Sequence, residues 1–140
     1  MKILNPRVHG YIDYAAVLLL ALAPTLFGFV GTPAALCYVL AILQGGMSLM
    51  TAYPLGMAKV IPFTVHGAIE FGMAFGLALS PWIFGFSELD AARNFFIGAA
   101  IALGGVWLTT DYKVADVEYG VSTASRKFGR TSYHSRPSFN

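Results

Sequence analysis

Polar and apolar positions along this chain fall into long blocks, with none of the strict alternation that marks half-buried strands. No Asp, Glu, Lys or Arg occurs between Asp13 and Lys59, and further uncharged stretches run from Phe71 to Ser87 and from Asn94 to Thr110. Helix breakers divide these blocks into four segments, each near the length that crosses a hydrocarbon core about 30 Å thick. Asn5-Pro6 supplies an N-cap and a proline at the first helical position, which predicts a first helix from about Pro6 to Leu26. Thr32-Pro33 repeats the signal for a second helix, expected to end near Tyr53 because Pro54 disfavours continuation. Pro62 opens the third, and Ser87-x-x-Asp90 resembles a capping box for the fourth. Pro24 and Pro81 fall in the last turns of helices one and three, where each removes a backbone bond and bends or ends the helix.

The pattern also repeats. Val8–Phe29 reads VHGYIDYAAVLLLALAPTLFGF and Val65–Phe86 reads VHGAIEFGMAFGLALSPWIFGF, identical at 11 of 22 positions without a gap. Leu and Ala matches are cheap between apolar helices. His-Gly at one end and Pro-x-x-Phe-Gly-Phe at the other are rarer and carry the inference. Thr51-Ala52-Tyr53 answers to Thr110-Asp111-Tyr112 at an offset of 59 rather than 57, so the connecting loops differ by two residues. The expected architecture is an all-α membrane protein of four transmembrane helices over residues 1–112. It comprises two parallel two-helix repeats (about 5–55 and 62–112) around a pseudo-two-fold axis along the membrane normal.

Composition agrees with this and adds an orientation. The chain has 140 residues, 56% hydrophobic and 11% charged, too little polar surface to cover four such helices in water. Lys2, Arg7, Lys59, Lys113, Arg126, Lys127, Arg130 and Arg136 lie at the N-terminus, the central loop or beyond residue 112, and only Arg93 lies on the other side. The positive-inside rule then predicts a multi-pass protein of the cytoplasmic membrane with both termini cytoplasmic. Lys2 and Arg7 ahead of Ala21-Leu22-Ala23 have the outline of a secretory leader. Asp13 and Tyr14 interrupt it, and the repeat reproduces the segment deep inside the chain, so a retained first helix is expected. Residues 113–140 read as a polar basic cytoplasmic tail, able to lie on anionic lipid heads. Four basic residues there are too few to suggest nucleic-acid binding. Cys37 is a lone thiol in an apolar helix, expected to be a small buried hydrophobe.

The ionisable residues that enter the spans come in matched pairs. His9 and Asp13, spaced i, i+4, share a helix face, and His66 and Glu70 repeat the arrangement. Residues 9, 13, 20, 24 and 27 form one stripe of the first helix, with equivalents on the third. If that stripe faces inward, two imidazoles and two carboxylates converge, a set that binds Zn²⁺, Mn²⁺ or Fe²⁺. The two histidines alone would suit haem, and paired ionisable groups can also carry protons. The plain alternative is that each pair caps its helix, hydrogen-bonds across the bundle and fixes its packing. Thr51, Tyr53, Thr110, Asp111 and Tyr112 share that level and could complete a polar site, although the simpler expectation for Tyr53 and Tyr112 is interfacial anchoring. At the far end, Trp82, Phe84 and Phe86 read as an aromatic belt, with Gly28 and Gly85 permitting tight turns. Gly72-x-x-x-Gly76 allows close helix contact, within the chain or between copies.

Ser80-Pro81-Trp82, late in the first helix of a two-helix unit and followed by Phe84-Gly85-Phe86, resembles the SPW repeat of bacterial and archaeal membrane proteins. His9-Gly-x-x-Asp13-Tyr14 matches the start of the two-copy form. The resemblance covers about residues 5–112 and implies a membrane fold without an established activity. The first copy departs from it, with Ala23-Pro24-Thr25 in place of Ser-Pro-Trp. No nucleophile–base set, phosphate loop or closed metal motif points to an enzyme. The first expectation is therefore a non-enzymatic structural or accessory subunit in the lipid bilayer, associating with other membrane subunits or with itself. The alternative is a metal- or haem-binding membrane protein using His9, Asp13, His66 and Glu70. The third is a small transporter or proton relay acting as an oligomer.

Overall fold

A computed structural model of the chain describes residues 3–118. They form four long helices and a short one: α1 (Pro6–Phe27), α2 (Thr32–Met50), α3 (Phe63–Ile83), α4 (Asp90–Thr109) and α5 (Tyr112–Glu118). The four long helices have the length and apolar character to cross a membrane, yet only 17–33% of each span is buried inside the protein. The remainder turns side chains such as Leu18, Ile42, Phe75 and Ile101 outward. An apolar surface of that extent is satisfied by acyl chains and not by water. The protein is a multi-pass membrane protein.

The helix ends show which caps hold. Asn5 accepts from the backbone N–H groups of Arg7 and Val8 at 3.1 and 2.9 Å, as its position before Pro6 predicts. Helix α2 starts one residue earlier than expected, because Gly31, at φ 73°, serves as N-cap and leaves Thr32 and Pro33 in the first turn. It also stops at Met50, short of Tyr53, because Thr51 turns into extended backbone. The capping box expected at Ser87–Asp90 does not form. Leu89 is the N-cap, Asp90 is drawn 2.7 Å from Arg93, and the Ser87 hydroxyl turns to Glu88. Pro62, at the N-cap of α3, has no side-chain donor or acceptor to offer. Asp116 of α5 does the work instead, accepting from the N–H groups of Phe63 (2.6 Å) and Thr64 (3.3 Å). The segment expected as a polar tail thus begins as a packed helix, with Ala115 fully buried. Arg126, Lys127, Arg130 and Arg136 lie outside the described residues.

Helix α1 packs along α2 and α3 along α4, with α1 also touching α4 and α5 lying on α3. An apolar core around Leu20, Cys37, Leu77, Phe86 and Phe96 fills the end far from the N-terminus, and Cys37 is buried in it as expected. Gly28 and Gly85 both adopt φ 69° there, the left-handed conformation that glycine tolerates. Each lets the next residue, Phe29 or Phe86, fold back under the helix and donate to Pro24 or Pro81. Trp82 points outward, 58% exposed, and Phe84 is half exposed.

At the other end the repeats are clipped to one another. The N–H groups of Ile3 and Leu4 donate to Thr109 O at 2.8 and 3.0 Å, and Asp111 N–H donates to Leu4 O at 3.2 Å. Fifty-seven to fifty-nine residues away, Val60 and Ile61 donate to Met50 O, both at 2.9 Å, and Ala52 donates to Ile61 O at 2.8 Å. The lead-in to each repeat is bonded to the exit of the other. That clip positions the residues described next.

Candidate metal centre

The turns of α1 and α3 that follow the clip bring His9, Asp13, His66 and Glu70 into one cluster, each exposed by 2% or less. The four alternate around a ring. His9 Nε2 lies 3.3 Å from Asp13 Oδ1 and 3.4 Å from Glu70 Oε2, while His66 Nε2 lies 3.5 Å from Asp13 Oδ2 and 3.4 Å from Glu70 Oε1. The expected inward stripe holds for His9, Asp13, Leu20 and Pro24 and fails at Phe27, which is half exposed. The helix ends there, and its buried aromatic is Phe29. On α3 the same happens with Phe84 and Phe86.

Every cluster residue is held from behind. Thr110 Oγ1 sits 2.9 Å from His9 Nδ1, and Thr51 Oγ1 sits 2.8 Å from His66 Nδ1. Each histidine leans on the threonine of the opposite repeat. Both threonine hydroxyls already donate to a carbonyl four residues back, Thr110 to Val106 and Thr51 to Met47, both at 2.7 Å. These carbonyls belong to the last turns of α4 and α2, where helices leave acceptors unsatisfied. A hydroxyl has one hydrogen, so each threonine can only accept from its histidine, and each Nδ1 carries a proton. In its neutral form each imidazole then presents the lone pair of Nε2 to the carboxylates; in its protonated form Nε2 donates to them. Among the described residues neither Nε2 has a hydrogen-bond partner, and Glu70 Oε1 has none either.

The tyrosines overturn the expectation of interfacial anchoring. Tyr53 is fully buried and Tyr112 is 7% exposed. Tyr53 donates to Asp13 Oδ2 at 3.2 Å and Tyr112 to Glu70 Oε2 at 2.7 Å, each within its own repeat. They turn inward because the residue after each histidine is glycine. A Cβ on Gly10 would stand 2.5 Å from the Tyr53 ring, and one on Gly67 would stand 2.7 Å from the Tyr112 ring. Burial, and after it the neighbouring carboxylate, pushes both phenols above their ordinary range, so they remain protonated donors. Phe63 stacks on Tyr53 at 5.6 Å and lies 4.8 Å from Tyr112 and 5.0 Å from His9, closing the end of the site nearest the backbone clip. Asp111, expected at this level, is half-buried and accepts from Lys113 N–H, outside the ring.

The residues fit a small metal ion. Ligands of a tetrahedral centre with bonds of about 2.0–2.2 Å lie about 3.3–3.6 Å apart along each edge. The four alternating N···O distances fall in this range but run to both oxygens of each carboxylate; with one ligand atom taken from each residue, all four lie within 4.8 Å of one another. Two neutral imidazoles and two carboxylates carry the charge that a divalent ion neutralises. Haem does not fit: Asp13 and Glu70 fill the equatorial space that a porphyrin needs, and the imidazole centroids are 5.4 Å apart at 75°.

Gln44 was not foreseen. Its Nε2 donates to Asp13 Oδ1 at 3.4 Å, and its Oε1 is buried without a partner. As the chain's single glutamine, in the middle of an uncharged span, it was readable as a polar residue of a helix interior. No family model matches this chain, and no curated protein or solved structure matches it; the resemblance to SPW repeats rests on the residues quoted for it.

Proposed function

We propose that this is a metal-binding membrane protein that holds one divalent transition-metal ion between His9, Asp13, His66 and Glu70. The observation that carries the reading is the proton placed on each Nδ1 by a threonine whose own hydrogen is committed elsewhere. Two bare Nε2 lone pairs then face two carboxylates across 3.3–3.5 Å in a buried site. With both imidazoles neutral that arrangement is repulsive, and either a proton on Nε2 or a metal ion between the four groups relieves it. With a cation it becomes a ligand set whose outer nitrogens are already oriented, as metal-binding histidines require. The ligands are nitrogen and oxygen, which suits Zn²⁺, Mn²⁺ or Fe²⁺.

The ion would also serve the structural role expected of a non-enzymatic subunit. Helices α1 and α3 make little other backbone contact, so the ion ties one repeat to the other. Positive charge near the N-terminus and the central loop supports placing the centre at the cytoplasmic leaflet.

Metal analysis of the protein purified in detergent tests the reading. About one transition-metal ion per chain is expected, either as isolated or after loading with Zn²⁺ or Co²⁺, and His9→Ala with His66→Ala should abolish it. A folded protein that takes up no stoichiometric metal would refute it.

A further inference from the structure

The centre is closed on one side and open on the other. Phe63, Tyr53 and Tyr112 pack over the side nearest the backbone clip. Towards the bilayer centre, a cavity of about 120 Å³ begins at Asp13, Glu70 and Gln44 and continues between Ala16, Leu20, Met73, Leu77 and Leu103. Its rim includes Leu19 and Ala102, both exposed on the lipid-facing surface, so the cavity opens sideways into the membrane.

The polar end of this cavity is one-sided. Gln44 stands on α2 where the second repeat, 59 residues on, has Leu103 on α4, and both line the cavity. Gln44 keeps one buried amide oxygen without a partner, at 3% residue exposure. A structural metal site needs no such group, whereas a site that keeps one coordination position for an outside ligand needs an acceptor or donor to orient it. We infer that the ion, held by these four side chains, takes a fifth ligand from this cavity: the oxygen-donor head of a small amphiphile that enters from the bilayer. The head carries a metal-binding oxygen and an adjacent N–H or O–H that donates to Gln44 Oε1. The apolar body lies among Leu20, Met73 and Leu77. This rests on the metal reading above. The volume sets the scale: a dry cavity of roughly 150 Å³ holds a benzene ring, so about four carbons fit inside and any longer chain trails into lipid.

Loading the detergent-solubilised protein with Co²⁺ makes ligand exchange visible in the d–d absorption. Octanohydroxamate carries the required oxygen and N–H on an apolar chain, and acetohydroxamate carries the same head without one. The expected result is a saturable spectral change with octanohydroxamate at a concentration at least ten-fold below that needed for acetohydroxamate. Gln44→Leu, which copies the second repeat, should weaken the octanohydroxamate response about ten-fold when measured at a Co²⁺ concentration that saturates the variant's site, checked by metal content. Ala16→Phe should remove it by filling the cavity; if that variant does not fold, Ala102→Phe at the exposed rim gives the same reading. Bound Co²⁺ whose spectrum ignores both hydroxamates, or responds to both alike, overturns this inference and leaves the metal reading standing. Failure to bind Co²⁺ overturns both.

Discussion

In the first repeat α2 presents Gln44 and Ser48, both buried with an unpartnered oxygen; in the second, α4 presents Leu103 and Trp107 at the equivalent places. The start of α1 is capped by Asn5, whereas α3 begins after a proline and borrows Asp116 from α5. Pro6 in one repeat stands where Phe63 closes the site in the other. Against these differences, the histidine, the carboxylate, the tyrosine and the threonine are matched, down to the backbone clip that aligns them. What both repeats keep is the ring of histidines and carboxylates and the groups that contact it. What they do not share is confined to the surroundings, and it gives the centre a closed side and an open one.

The comparison can be broken most severely at the ligands. His9→Ala and His66→Ala should each lose stoichiometric metal, and to the same extent, as read by metal content and by the fall in Tm when a chelator is added to wild type. A variant that keeps full metal would show that the repeats are not equivalent in the ring. Next come the threonines. Thr51→Val and Thr110→Val free the Nδ1 of His66 and His9, and loss of such an orienting partner typically costs about 10–100-fold in metal affinity. Equal losses in a competition titration are expected, with the helices intact by circular dichroism. The smallest effect tests the difference between the caps. Asn5→Ala and Asp116→Ala should each destabilise by about 1 kcal/mol, seen as a lower Tm. Asp116→Ala alone should also loosen α5 and expose its amides to hydrogen exchange.

Much of this was legible in the chain. The four ligands announce themselves because a charged or imidazole side chain in an apolar span is costly and must be partnered, and because the i, i+4 spacing occurs twice. The helices follow from uncharged length and from prolines. The tyrosines were not legible as members of the site. Their position at the end of a span suits an anchor equally well, and only the close approach over Gly10 and Gly67 turns them inward. Nor could the sequence show that His9 would lean on a threonine 101 residues away, or that Asp116 would cap a helix more than fifty residues before it. Those contacts depend on the clip between repeats, and three backbone bonds on each side leave no mark in composition or periodicity. The failed capping box at Ser87 has a local origin instead: Arg93, one turn on, competes for Asp90.

The crossed dependence of the histidines has a consequence in time. During synthesis the first hairpin can enter the membrane with His9 and Asp13 in place, but the residue that contacts His9 is made 101 residues later, after α4. Until then the early half carries an imidazole without its fixed proton and a carboxylate without its counter-ligands. On the proposed reading, metal loading is therefore a late event that reports completion of the second repeat, and a truncated product ending before Thr110 is expected to insert without acquiring the ion.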